Sequence, residues 1–263
     1  MGSAIEVISG RAVNPGAAFT ALTPSSGASF TVRSFQFSDG AYVDGMWAKG
    51  GTAGLFRVRS PRLHDNVQGI KFNYLVNNPR NWLYGYQSQI VEPQDNLVAE
   101  ITGGAAETDT GYLALYYNNL PGLQARVEGW DAVKPRIANL VTVQVAVAGA
   151  GTLGDWSAGT ALNATQDLLK ANVDYALLGY TTDTQVGAIA VQSSDTGNLK
   201  IGGPGTTEAI ETWDYFVEQE RLSGRPYIPI LNAANKQSTL VFQQDNLAGA
   251  TINVFLNMAE LAG

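Results

Sequence analysis

The sequence predicts an all-β fold, and two observations carry this prediction. Short segments in which apolar and polar residues alternate recur along most of the 263 residues, and this period of two is typical of half-buried β-strands. Turn-forming sequences such as Asp44-Gly45 and Asn77-Asn78-Pro79 separate these segments at intervals that suit a β-sandwich or a β-barrel. The length permits one large β domain or two domains of about 130 residues each.

The first 28 residues predict an N-terminal arm. Residues 10–29 are rich in Gly, Ala, Pro, Ser and Thr, and a segment of this composition buries too little apolar surface to offset the entropy lost when it is ordered. We therefore expect residues 1–28 to be held by a neighbouring subunit or by the base of the domains that follow.

The first β domain is predicted at residues 29–122. Its first strand, 29–37, changes phase near Ser34, which indicates a β-bulge. The other strands predicted in this domain are 41–48, 55–58, 70–76, 84–91, 97–101 and 112–117.

The alternation stops between residues 121 and 139, where Pro121-Gly122 leads into a mixed-charge stretch that contains Lys134-Pro135. Because Pro and Gly interrupt regular structure, this stretch predicts a linker at 123–138 and a second β domain at 139–263. The strands predicted in the second domain are 140–147, 175–180, 186–191, 199–201, 227–231, 239–242 and 251–255.

The second domain is also predicted to contain a short helix and a longer one. Residues 164–171 form the short helix, with Asn163 placed to cap it. Residues 208–222 form the longer helix, and Gly224 can supply its left-handed exit. The apolar residues of the longer helix share one face at helical spacing, which predicts a helix packed on a sheet: Ile210, Trp213, Phe216 and Val217.

Composition limits the function. Charged residues make up 15% of the chain, against about 25% in a typical soluble domain, which suggests that neighbours cover much of the surface. The net charge of −7 argues against a phosphate-binding surface. The chain has no cysteine, and therefore neither a disulfide nor a thiolate metal site. No apolar run reaches the roughly 18–20 residues of a membrane-spanning helix, so no transmembrane segment is expected.

Residues for catalysis are scarce. The only histidine, His64, lies beside Asp65 in a predicted loop, and this pair could be half of a catalytic triad. No Gly-x-Ser-x-Gly sequence accompanies it, so we predict no enzymatic activity and no catalytic residue. A carboxylate pair such as Glu92 and Glu100 leaves glycoside hydrolysis open, because the separation that matters is spatial.

Two kinds of loop raise the question of ion binding. The glycine-rich residues 201–205 precede the longer helix and could bind an anion, but Pro204 removes an amide donor and Glu208 repels phosphate, which favours a tight connection. Acidic loop residues leave a structural Ca²⁺ ion open, although aspartate is also an ordinary turn former; the pairs are Asp39 with Asp44 and Asp183 with Asp195. No other metal and no cofactor is expected.

Aromatic residues offer one more candidate site. A set of them could form a platform on which sugars stack, and packing in a core or an interface is the other interpretation. The residues are Trp47, Trp82, Tyr84, Tyr86, Trp130 and Trp156.

Taken together, two consecutive all-β halves, low charge, an N-terminal arm and a helix before the last three strands resemble the double jelly-roll major capsid proteins of tailless icosahedral bacteriophages. The resemblance implies two tandem eight-stranded jelly rolls. It also implies a structural virion protein that forms homotrimers, which assemble with neighbouring capsomers into an icosahedral capsid shell. Minor capsid or membrane proteins are further candidate partners, and no direct contact with nucleic acid is implied. The alternatives are a carbohydrate- or receptor-binding β-sandwich, such as a phage appendage or adhesin, and a glycan-active enzyme.

Overall fold

Nearly all regular structure in the molecule is antiparallel β-sheet. The structure is a computed structural model, and it describes residues 2–25, 29–33, 41–61, 67–81, 89–120, 125–245, 247 and 249–263. None of the helices formed by these residues is long and apolar enough to cross a membrane.

The first half contains nine strands within the described residues. They are β1 (Gly2–Val13), β2 (Thr20–Ala21), β3 (Thr23–Pro24), β4 (Ala41–Lys49), β5 (Gly54–Arg59), β6 (Ile70–Tyr74), β7 (Gln89–Val91), β8 (Val98–Ile101) and β9 (Thr108–Leu120).

The second half contains strands and short helices. Its strands are β10 (Val127–Glu128), β11 (Ile137–Val147), β12 (Thr160–Ala161), β13 (Asp174–Thr182), β14 (Val186–Gln192), β15 (Ile201–Gly205), β16 (Ile228–Asn232), β17 (Leu240–Gln244) and β18 (Ile252–Leu261). Its α-helices are α1 (Trp130–Val133), α2 (Ala209–Thr212) and α3 (Tyr215–Ser223), and single 3-10 turns lie at Lys134–Arg136, Ser194–Thr196 and Ala233–Asn235.

Each half has the strand order of a jelly roll. The first half consists of the sheets β3-β1-β9-β4-β7 and β2-β8-β5-β6, and the second of β10-β16-β13-β18-β11 and β12-β17-β14-β15. When β3 and β10 are set aside as additional edge strands, eight strands remain in the described part of each half. Numbered along the chain, they pair as 1-8-3-6 and 2-7-4-5 in both halves, which is the jelly-roll arrangement. The predicted fold class, all-β with two tandem eight-stranded jelly rolls, is confirmed.

The N-terminal arm predicted at residues 1–28 is wrong. β1 pairs with β9 along nearly its whole length, with Ile5 opposite Tyr116 and Ile8 opposite Leu113. Its central residues are buried on both faces, because one face packs into the first core and the other faces the second half. The Gly- and Pro-rich composition describes only the residues after β1, and these also contribute the short strands β2 and β3.

The linker predicted at residues 123–138 is also wrong for the residues that the structure describes there. β10 pairs with β16, and the fully buried Val133 of α1 packs into the second core. The charges of this stretch pair within the second half, Arg126 with Asp174 of β13 and Arg136 with Glu128. This stretch is therefore the beginning of the second jelly roll.

The short helix predicted at residues 164–171 does not form. The Thr165 hydroxyl oxygen accepts a hydrogen bond from Ala146 N at 2.8 Å, and Gln166 Oε1 accepts one from Gln144 N at 3.3 Å. Both amides belong to β11, which is an edge strand. Side-chain bonds of this kind compete with helical ones, and here they cap an open sheet edge.

The longer helix predicted at residues 208–222 is broken into α2 and α3. Between them Trp213 O accepts a hydrogen bond from Asn257 Nδ2 of β18 at 2.9 Å, so it bonds to the sheet. The predicted apolar face is consequently wrong at Ile210, which is 90% exposed, whereas Phe216 is fully buried.

Two predicted strands lie partly outside the described residues. Of the strand at 29–37, residues 29–33 are described. They are not assigned to a strand, but they exchange backbone hydrogen bonds with residues 94–97 around a bridge between Thr31 and Asn96. The bulge near Ser34 lies outside the described residues. Of the strand at 84–91, only β7 is described.

Candidate functional site

The two jelly rolls meet along a buried junction. Trp47 stacks on Tyr112 with ring centroids 5.3 Å apart, and Trp156 packs edge-on against Phe242 at 6.5 Å. The Trp47 Nε1 atom donates a hydrogen bond to Gly187 O of the second half at 2.9 Å. We call the apolar cluster that joins the halves the junction core; it comprises Val7, Trp47, Tyr112, Ala114, Trp156, Ala188, Ala190 and Phe242.

β4 shows how one strand serves both the first core and the junction. Its Val43 and Met46 point into the first core, and its Trp47 lies in the junction core. The register against β9 shifts between Val43 and Gly45, as at a β-bulge. Because every residue of β4 except Tyr42 is buried, the sheet is covered on both faces.

Two buried ion pairs cross the junction. Lys49 is 1% exposed, and its Nζ atom lies 2.5 Å from Asp245 Oδ1 and 3.3 Å from Gln185 O. The fully buried Asp44 lies 2.5 Å from Arg225, whose guanidinium also covers the ring of Tyr42 at 4.3 Å. Leaving one buried charge unpaired is expensive, so these pairs fix the orientation of one jelly roll on the other.

More exposed ion pairs extend the same contact. Arg11 pairs with Asp155 at 2.7 Å, and Arg80 pairs with Glu211. Each joins a residue of the first half to one of the second, so charge pairing and apolar packing act together.

A carboxyl cluster lies at the ends of β6 and β9. The Asp109 carboxyl is fully buried, and the Tyr74 hydroxyl lies 3.0 Å from its Oδ2 atom. Glu107 Oε1 accepts hydrogen bonds from Gly104 N at 2.7 Å and Thr52 N at 3.0 Å, which ties two loops together. Burial, followed by the charge of Glu107, raises the pKa of Asp109 to about 7.

Close backbone approach explains the glycines around this cluster. A Cβ atom at Gly103 would lie 1.6 Å from Asp109 Oδ2, and one at Gly50 would lie 2.6 Å from Asp109 Oδ1. Glycine is needed at these positions because the two loops lie directly on the carboxyl group.

Of the four catalytic candidates, the structure describes Glu92 and Glu100. His64 and Asp65 lie outside the described residues. Glu100 receives hydrogen bonds from Arg57 Nε at 2.7 Å and Arg59 Nε at 2.9 Å. These arginines outweigh partial burial and lower the pKa of Glu100, opposite to what a general acid requires.

Two of the loop aspartates, Asp183 and Asp195, accept hydrogen bonds from other segments of the second half. Asp183 accepts hydrogen bonds from Asn253, and Asp195 Oδ2 accepts one from Asn232 N at 2.9 Å. Asp44 is the junction residue described above, and Asp39 lies outside the described residues. Within the described ranges, no three or more His, Asp or Glu side chains gather in a way that could hold a metal ion.

The other candidates take structural positions. The glycine-rich residues 201–205 are the fully buried edge strand β15. Of the proposed sugar platform, Trp47 and Trp156 are buried in the junction core and Trp130 is partly buried at the start of α1. The remaining members, Trp82, Tyr84 and Tyr86, lie outside the described residues.

No protein-family model matches the chain, and no curated protein sequence matches it. Among solved structures, the PBSX exported protein XepA is similar over 97% of this chain and 86% of that chain, at 8% identity and a TM-score of 0.28. A chain of the Sulfolobus Turreted Icosahedral Virus is similar over 100% of this chain and 81% of that chain, at 11% identity and a TM-score of 0.23. With TM-scores this low, the fold assignment rests on the strand orders above.

Proposed function

We propose that this chain is a structural virion protein that self-assembles as a homotrimer into an icosahedral capsid shell. The observation that carries the proposal is the pair of jelly rolls held in one orientation by the junction. Each subunit then presents two similar wedges, and three subunits present six, which pack hexagonally. Closed cyclic assemblies are the common solution for identical chains.

The surface supports contacts with further copies. Ile90 is 65% exposed on β7, and Leu140 is 60% exposed on β11. Both strands form the edges of five-stranded sheets. Together with a charged content of 15%, these exposed apolar side chains suit lateral interfaces larger than about 1,000 Å².

The proposed role includes no catalysis and no cofactor. The net charge of −7 favours a shell layer that does not contact nucleic acid directly. Minor capsid or membrane proteins beneath the shell are further partners under this proposal, and the virion is the proposed location.

Native mass spectrometry of the purified protein, with electron microscopy of the native particle, tests the assembly. We expect a species of three times the 27.9 kDa subunit mass. Ile90→Lys and Leu140→Lys should reduce the trimer at least tenfold without unfolding the subunit, because both side chains are already exposed. Leu168→Lys, at another exposed leucine, is the matched control.

A stable monomer at micromolar concentration, with no trimer in the particle, would contradict the proposal. A carbohydrate- or receptor-binding β-sandwich would then be the better-supported function.

A further inference from the structure

A small polar pocket opens beside the junction core, between β1 and residues 192–200. Its volume is about 70 Å³, and its wall includes Glu6, Arg33, Trp156, Gln192, Asn198 and Lys200. A pocket of this size admits water or a small polar group such as a carboxylate.

Lys200 is the unusual residue of this pocket. Its Nζ atom lies 4.7 Å from the ring centroid of Phe242 and 5.8 Å from that of Trp156. Its ammonium group has three donors, yet none of them has a hydrogen-bond or ion-pair partner among the described residues. The aromatic faces offset part of the cost of burying the charge, and burial lowers the pKa of Lys200.

The nearby carboxylate of Glu6 is already engaged elsewhere. It accepts hydrogen bonds from Nε and from a terminal nitrogen of Arg33, at distances between 2.6 and 2.9 Å. It also accepts a hydrogen bond from the Tyr117 hydroxyl at 3.0 Å. Glu6 and Arg33 therefore neutralise each other, and Lys200 leaves the described lining of the pocket with a net positive charge, in a chain whose net charge is −7.

We infer that this pocket binds a carboxylate group, whose oxygens accept hydrogen bonds from the Lys200 ammonium. A carboxylate matches the single uncompensated charge and the small volume. A phosphate group carries more charge and needs more donors. The carboxylate has two chemical sources, an acidic side chain of another copy of this chain or a small free carboxylate.

Acetate is the probe for this site. Thermal unfolding is followed while sodium acetate replaces sodium chloride at constant ionic strength. We expect the melting temperature of the native sequence to rise saturably, by about 2–4 °C once acetate is roughly tenfold above its Kd. Lys200→Met should abolish the rise, and Lys71→Met, at an exposed lysine of β6, should retain it.

Lys200→Met should also melt no lower than the native sequence without acetate, because it removes a partly buried, unpaired charge. Lys200→Gln serves the same purpose if the methionine variant does not fold. The inference is overturned if acetate does not stabilise the native sequence, or if the Lys200 variants respond to acetate as the native sequence does.

A second measurement distinguishes the two sources. If another copy supplies the carboxylate, Lys200→Met and acetate should each weaken the trimer in native mass spectra. Unchanged trimer with a retained acetate response assigns the site to a free carboxylate. The acetate response is measured at a protein concentration at which the chain is monomeric, so this inference and the proposed function can fail separately.

Discussion

At the scale of single residues, Asp109 links folding to pH. Its pKa in the folded protein is raised from an ordinary value of 3.8 to about 7, so the folded state holds a proton that the unfolded state releases near pH 4. The stability that this proton contributes is complete below about pH 4 and is lost as the pH rises to about 7. We expect the free energy of unfolding to fall across this window by at most about 1.4 kcal/mol per pH unit because of this group.

Urea unfolding at a series of pH values measures that slope. Asp109→Asn, which keeps a neutral side chain at all pH values, should remove it. Asp131→Asn, at an exposed carboxylate, should keep it. An unchanged slope in the Asp109 variant would show that another group titrates.

The charged residues at the junction are those that sequence reasoning missed. In the sequence, Lys49 follows the predicted strand 41–48, a position typical of a solvent-exposed strand end. In the structure it pairs with Asp245, which lies 196 residues away. A pattern based on neighbouring residues has no access to such a pair. The one available signal was weak: Asp44 and Lys49 interrupt a strand that is otherwise apolar or small.

At the scale of elements, substitutions in β1 test whether the N-terminal segment is a core strand or an arm. Ile8 is 2% exposed within the first core, and Val13 is 63% exposed at the end of the same strand. Ile8→Ala should therefore cost about 2–5 kcal/mol of unfolding free energy, and Val13→Ala should change it by no more than about 0.5 kcal/mol. Chemical denaturation compares the two variants directly. Equal, small effects would restore the interpretation as an arm.

Most strands could be predicted because their alternation and their turns are local properties. The predicted strand 175–180 lies within β13, and Gly224 takes the left-handed exit after α3, with φ of 66°. The failures share a different cause. β1 is buried on both faces, so its apolar residues do not alternate with polar ones. Residues 164–171 are held by hydrogen bonds to β11, which no local propensity records.

At the scale of the whole molecule, the junction should make the two jelly rolls unfold together. Trp47 is fully buried between them, so separation would expose the junction core to water. We expect calorimetry to show one transition, with equal calorimetric and van't Hoff enthalpies. Trp47→Ala should split it into two.

Phe56→Ala is the matched control, because Phe56 is also fully buried but lies in the first core, away from the junction. It should lower the melting temperature without splitting the transition. Two transitions in the native sequence would mean that the halves unfold independently.

The pairing of β1 with β9 also has a consequence during protein synthesis. The Tyr117 hydroxyl and the Glu6 carboxylate, joined in the folded sheet, are 111 residues apart in sequence. β1 therefore emerges from the ribosome long before its partner exists, and β11 waits similarly for β18. Contacts this distant in sequence make folding slow, on the order of milliseconds to seconds. Throughout that interval the apolar β1 is an unpaired strand, which is the form that chaperones bind and that aggregates recruit.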